Sequence, residues 1–155
     1  MAVSKHSVLF VCWGNICRST IAEAVFRHLI KERGCSEKWA VDSAGTGHWN
    51  LGEQPDDRAQ RVLREHGLSL QHSAKLIREE DFRSFEFILY MDESNMRDLK
   101  HFTPADSTAC VRLLGTYGLG GAVIEDPYYG NVRDFETVFE QCRKACTAFL
   151  DSVES

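Results

Sequence analysis

Short apolar runs alternate with helical stripes along this chain. Ser7 to Val11 (SVLFV) is continuous, apolar and rich in β-branched and aromatic residues, the pattern of a buried strand. Ala22, Val25, Phe26, Leu29 and Ile30 then share one helical face, and Gly34 supplies the stop. Trp39 to Ser43 reads as a second strand closed by Gly45 and Gly47. Pro55 opens another helix, with Ala59, Val62 and Leu63 inward and Gly67 as its cap. Glu86 to Met91 (EFILYM) is the most strand-like run in the chain, and Met96, Leu99 and Phe102 predict a short helix after it. Cys110 to Leu114 is a further strand. The last element, Val132 to Val153, carries Phe135, Val138, Phe139, Cys142, Cys146, Phe149 and Leu150 on one stripe.

Strands separated by helices pair in parallel, because parallel neighbours need a crossover connection. The predicted fold class is therefore α/β, a four-stranded parallel sheet with helices on both faces. Such sheets bind ligands beyond the carboxyl ends of their strands. The residues just after Val11, Ser43 and Met91 become candidates on that ground alone.

Composition narrows the class. With 155 residues, 43% hydrophobic and 26% charged, the chain can bury a core as one domain over residues 1–155, and disorder and coiled coil are excluded. A net charge of −5 argues against a nucleic-acid partner. The apolar run near the start is too short for a signal peptide or a membrane span, which points to a cytoplasmic protein with no membrane partner. Six cysteines without an export signal are then expected as free thiols. The stretch from Asp106 to Gly121 reads as a loose segment that shapes substrate access.

The chemistry concentrates in Cys12-Trp13-Gly14-Asn15-Ile16-Cys17-Arg18-Ser19-Thr20, between the first strand and the first helix. A loop feeding a helix points several N–H groups at one spot beside the positive end of the helix dipole, which suits a tetrahedral dianion. Trp13, Gly14, Asn15, Ile16, Cys17, Arg18 and Ser19 are accordingly the candidate phosphate-binding residues. Arg18 can fork two hydrogen bonds onto phosphate oxygens. Cys12 sits where the amides converge, and the field that favours phosphate also favours a thiolate, a nucleophile aimed at phosphorus. Ser19 can donate to that sulfur when it becomes the leaving group, and Asn15, tolerant of a left-handed backbone, can tie the loop through its amide. Cys17 is either filler at the pocket floor or a redox partner of Cys12. Cys12, Cys17, Cys142 and Cys146 could in principle hold zinc, but the last two fall on the buried stripe of a helix, so no metal is expected.

Asp126-Pro127-Tyr128-Tyr129-Gly130 is a second candidate segment. Asp-Pro with a closing Gly is a turn, and two aromatic rings on a turn suggest a contact surface. A thiolate displacing an alkoxide or phenoxide needs an acid for the departing oxygen; Asp126, otherwise part of a plain Asp-Pro turn, could be that acid and later the base for water if held near the anion. Trp49, Tyr128 and Tyr129 are candidate pocket walls around a phosphorylated phenol.

Nearly end to end, from VLFVCWGNICRS through IAEAVFRHL, VDSAGTGHWN, MDESN and EDPYYGN to DFETVFEQC, the chain resembles the low-molecular-weight protein tyrosine phosphatases. The resemblance implies one α/β domain without a cofactor and a two-step reaction through a cysteinyl-phosphate. It implies Cys12 as nucleophile, Arg18 as phosphate clamp, Asp126 as acid and then base, Ser19 as thiolate stabiliser, and Asn15, Ser43 and His72 as a buttress behind the loop. Asp92, at the end of the EFILYM strand, either faces the pocket or caps a helix. Phosphotyrosine proteins are the implied substrates, and Tyr128 and Tyr129 the implied sites of regulation by tyrosine kinases. A monomer or weak self-association is expected. One departure is Thr20, where the family usually carries proline. The rival functions on this fold are an arsenate reductase and a protein-arginine phosphatase. The non-enzyme rival is a phosphotyrosine-binding module that does not catalyse.

Overall fold

A computed structural model describes residues 5–154; the expectations that touch residues 1–4 and 155 lie outside it. The chain runs β1 (His6–Cys12), α1 (Arg18–Glu32), β2 (Trp39–Gly45), α2 (Asp57–Glu65), α3 (Asp81–Ser84), β3 (Phe87–Tyr90), α4 (Glu93–Phe102), β4 (Cys110–Leu113) and α5 (Val132–Glu154). The four strands pair in parallel in the order β2-β1-β3-β4. β1 therefore has a partner on each side, with Phe10 opposite Ser43 and Cys12 opposite Gly45.

Burial on both faces explains the unbroken apolar run of β1. Val8 and Phe10 enter the core formed with α1 and α5, while Leu9 and Val11 enter a second core with Phe82 of α3 and Leu99 of α4. In the first core Phe149 of α5 collects rings from three elements, with centroids 5.8 Å from Phe26, 5.8 Å from Trp39 and 5.0 Å from Phe87.

Three details depart from the sequence pattern. Pro55 does not open α2. Asp56 caps it, accepting from the Arg58 N–H at 2.8 Å, because a cap needs an extended backbone and a side-chain acceptor. α3 has four residues, too few to show a period, and is anchored by the buried Phe82. The segment expected to be loose, Asp106 to Gly121, is pinned instead. A Cβ at Gly115 would meet the Ala122 carbonyl oxygen at 1.6 Å, the Gly121 N–H bonds the Gly115 carbonyl at 2.9 Å, and Tyr117 packs against Phe149. None of its residues lines the cavity described next.

Candidate active site

β1 ends at Cys12 and α1 begins at Arg18, so five residues make the turn between them. Three carbonyls from Cys12 onward are bonded to neighbouring segments: Cys12 O accepts from Thr46 N at 3.0 Å, Trp13 O from Gly47 N at 2.8 Å and Ile16 O from Asp56 N at 2.8 Å. In a trans peptide the N–H points opposite to the carbonyl, so the amides after these three face the inside of the loop. α1 has no acidic residue in its first turn and no side-chain cap, which leaves its leading N–H groups for an anion. Gly45 lets β2 approach this closely, since a Cβ there would lie 2.6 Å from the Trp13 carbonyl oxygen.

Asn15 sets the loop's shape. It is the one non-glycine with positive φ among the described residues, at 57°, and it is buried. Its side-chain amide fills both ends. Nδ2 donates to Ser19 Oγ at 2.9 Å and Ser43 Oγ at 3.0 Å, while Oδ1 accepts from Lys75 N at 3.0 Å and His72 Nε2 at 2.7 Å. Ser43 donates a hydrogen bond to Glu23 Oε1 at 2.7 Å, and His72 Nδ1 lies 3.6 Å from the same carboxylate. Glu23, buried on α1 and also bonded by Arg27 at 2.8 Å, escaped the sequence reading. Its i,i+4 spacing to Ser19 and Arg27 is the signal that could have found it.

Cys12 Sγ lies 3.0 Å from Ser19 Oγ. That oxygen already accepts from Asn15, so its hydroxyl proton is available to the sulfur. Arg18 is buried beside them. Its Nη1 donates to Asp92 Oδ2 at 2.6 Å and to the Ile124 carbonyl at 2.8 Å, and its Nη2 stands 3.7 Å from Asp126 Oδ2. Burial works against the guanidinium charge, but Cys12, Asp92 and Asp126 outweigh it and hold Arg18 above its usual range. Asp92 meets the capping reading, since its other oxygen accepts from Asn95 N at 2.9 Å at the start of α4; it touches the site through Arg18 and does not line the cavity itself.

Thr20 is buried at the start of α1. Its hydroxyl donates to the Cys17 carbonyl at 2.8 Å, inside the first turn of α1. Cys17 is buried, and burial first, with the neighbouring Cys12 second, pushes its thiol far up from the usual range. Burial also pushes Cys142 up to about 12 and Cys146 well up.

A cavity of about 230 Å³ opens over this floor. Its lining takes in the buried Cys12, Ile16 and Arg18, the ring pair Trp13 and Trp49, and Asp126, Tyr128 and Tyr129 of the Asp-Pro turn, where the two tyrosine rings form a second pair. The Asp126 carboxylate accepts from Tyr128 N at 3.1 Å, which folds the Asp-Pro turn back toward the mouth. Asn50, absent from the sequence candidates, overhangs Gly14 so closely that a Cβ there would meet Asn50 Oδ1 at 2.6 Å.

Fold and loop together define an α/β protein with a cysteine at the head of a tight strand-to-helix loop. Residues 7–155 match the family model for the low molecular weight phosphotyrosine protein phosphatases. The human protein of that name is 52% identical over 151 residues, covering 96% of each chain, and Drosophila melanogaster phosphatase 2 of the same name is 44% identical over 94% of this chain and 91% of its own. Among solved structures, Primo-1 superposes with a TM-score of 0.92 at 40% identity over 97% of this chain and 99% of its own. The drosophila arginine phosphatase DARP superposes at 0.89 and 38% identity, over 96% and 98%. This chain belongs to the low molecular weight phosphotyrosine protein phosphatase family.

Proposed function

We propose that this protein hydrolyses phosphotyrosine in proteins, and small aryl phosphates, through a cysteinyl-phosphate. The observation that carries the reading is one cavity holding Cys12, Arg18 and Asp126, with Ser19 Oγ 3.0 Å from the sulfur. Cys12 Sγ attacks phosphorus as the bond from phosphorus to the phenol oxygen breaks, and Asp126 gives that oxygen its proton. Arg18 and the loop amides take up the charge on the equatorial oxygens. Asp126, now a carboxylate, accepts a proton from water as the water oxygen attacks phosphorus. The S–P bond breaks, phosphate leaves, and Ser19 supports the departing thiolate.

Cys12→Ser is expected to abolish turnover of an aryl phosphate; normal turnover in that variant would overturn the mechanism. Asp126→Ala should slow poor leaving groups far more than good ones, because only the former need a proton. Equal slowing removes Asp126 from the acid role.

The likeness to the drosophila arginine phosphatase DARP keeps arginine phosphate as a second reading. Against it stands Ile16, an apolar and buried base where a guanidinium would need a small polar neighbour. Phosphoarginine and phosphotyrosine peptides assayed side by side decide between them. An arsenate reductase needs accessible shuttle thiols, and Cys142 and Cys146 are fully buried. A binding module has no use for Cys12, so Cys12→Ser separates that rival as well.

The same reading takes in finer claims. Acid phosphatase activity toward aryl phosphates follows from the same cavity. Oxidation of Cys12 to a sulfenic acid, then condensation with the Cys17 thiol and loss of water, would give a reversible disulfide. Mass spectrometry showing only sulfonate at Cys12 after peroxide counts against it. Tyr128, and Tyr129 at 91% exposure, are open to tyrosine kinases. A cytoplasmic protein, monomeric or weakly self-associating, fits the free thiols; among the described residues no helix is long and apolar enough to cross a membrane.

A further inference from the structure

The two sides of the cavity mouth differ in kind. On one side Tyr128 is engaged: the Arg58 guanidinium sits 5.4 Å from its ring centroid, and Tyr129 meets it edge-on at 5.0 Å. On the other side the aromatic rings form a run that leads away from the cavity. Trp13 and Trp49 stand 6.4 Å apart with planes 40° from parallel, and His48 stacks on Trp49 at 4.6 Å and 28°. Trp13 is 40% exposed and Trp49 66% exposed, and among the described residues no cation lies over either indole.

Trp13 is nonetheless held. A Cβ on Gly47 would lie 2.7 Å from its Nε1 and 2.9 Å from its Cε2, so the ring rests on bare backbone. Its carbonyl is bonded by the Gly47 N–H at 2.8 Å. An exposed ring that is already fixed loses little freedom when something covers it. The cavity itself, at about 230 Å³, is smaller than the roughly 300–1,000 Å³ of ordinary small-molecule sites, so one aryl phosphate occupies it. Whatever flanks that group in a substrate must lie on the rim.

We propose that Trp13 and Trp49, with His48 behind them, form a subsite that takes an aromatic side chain adjoining the phosphotyrosine of a protein substrate. The inference rests on the phosphotyrosine reading above. The subsite is continuous with the cavity, because both indoles line it, and it is apolar and ring-shaped in its exposed part. Aromatic pairing on such a surface corresponds to about two- to tenfold in affinity.

The test uses phosphotyrosine peptides differing only in phenylalanine, alanine or lysine at each position next to the phosphotyrosine. For the unaltered protein, phenylalanine at one of the two positions should raise kcat/KM about fivefold over alanine, through KM rather than kcat. The phenylalanine-to-alanine ratio cancels any change in the chemical step, and it should fall toward one in both Trp13→Leu and Trp49→Ala. Equal rates for phenylalanine and alanine peptides overturn the subsite alone, as does a ratio that survives both substitutions. A lysine preference overturns it too, in favour of a cation held over the indoles. Self-association that Trp13→Leu abolishes would assign the platform to a second copy of the chain. Failure to hydrolyse any phosphotyrosine peptide overturns the functional reading itself and the subsite with it.

Discussion

Glu23 shows how far a single buried charge reaches in this site. Its carboxylate takes bonds from Ser43 and Arg27 and lies beside His72, so removing it leaves the buried Ser43 hydroxyl without its acceptor and takes the charge from behind His72. Glu23→Ala is expected to cost about 1–3 kcal/mol in urea unfolding and to slow turnover, with Glu23→Gln milder because it keeps an acceptor for Ser43. Thr20 is the opposite case. Thr20→Pro loses one hydroxyl bond to Cys17 but stiffens the unfolded chain, so the stability change should stay within about 1 kcal/mol and hydrolysis should continue. Cys12, Arg18, Ser19 and Asp126 were legible in the sequence because loop, helix start and Asp-Pro turn each announce a chemistry. Ser43 and His72 came from family resemblance alone: a strand-end serine and a loop histidine carry no local sign of the asparagine that joins them. Glu23 carried its sign in the i,i+4 spacing to Ser19, but the same spacing to Arg27 imitates a solvated surface pair and masked it.

At the scale of elements, the sequence reading located all four strands and the four longer helices, because two-sided burial and helical stripes are strong periodic signals. It misplaced the start of α2 because a proline was easier to see than the aspartate after it. Asp56 also gives that helix a pH signature. Burial alone would raise its carboxyl, but the Arg58 side chain and the N–H groups of Arg58 and Ala59 hold it below the ordinary range. A carboxyl lowered by folding stabilises the fold above its unfolded value and loses that contribution as pH falls. Asp56→Ala should therefore cost about 1 kcal/mol at neutral pH, with the gap to the unaltered protein closing below about pH 4 in urea titrations. Within α5, Phe149→Ala empties a junction of four rings, and a loss of about 3–5 kcal/mol should register in the unfolding midpoint.

Across the whole molecule the thiols divide by burial. Cys142 and Cys146 ionise far less readily in the fold than in the open chain, so they favour the folded state below about pH 8.5. As pH climbs through the unfolded value, that advantage drains away, and stability should decline between about pH 9 and 11 in chemical denaturation. Both thiols should also resist alkylation until the protein unfolds. The same division by attachment governs how the site can change over generations. Trp13 follows Cys12 directly in the chain and is backed by Gly47, so an altered side chain there pulls on the backbone that carries the sulfur. Tyr129 stands almost wholly in solvent at the tip of a turn. A replacement at Tyr129 therefore leaves the loop untouched, whereas each replacement at Trp13 is felt by the backbone that carries Cys12.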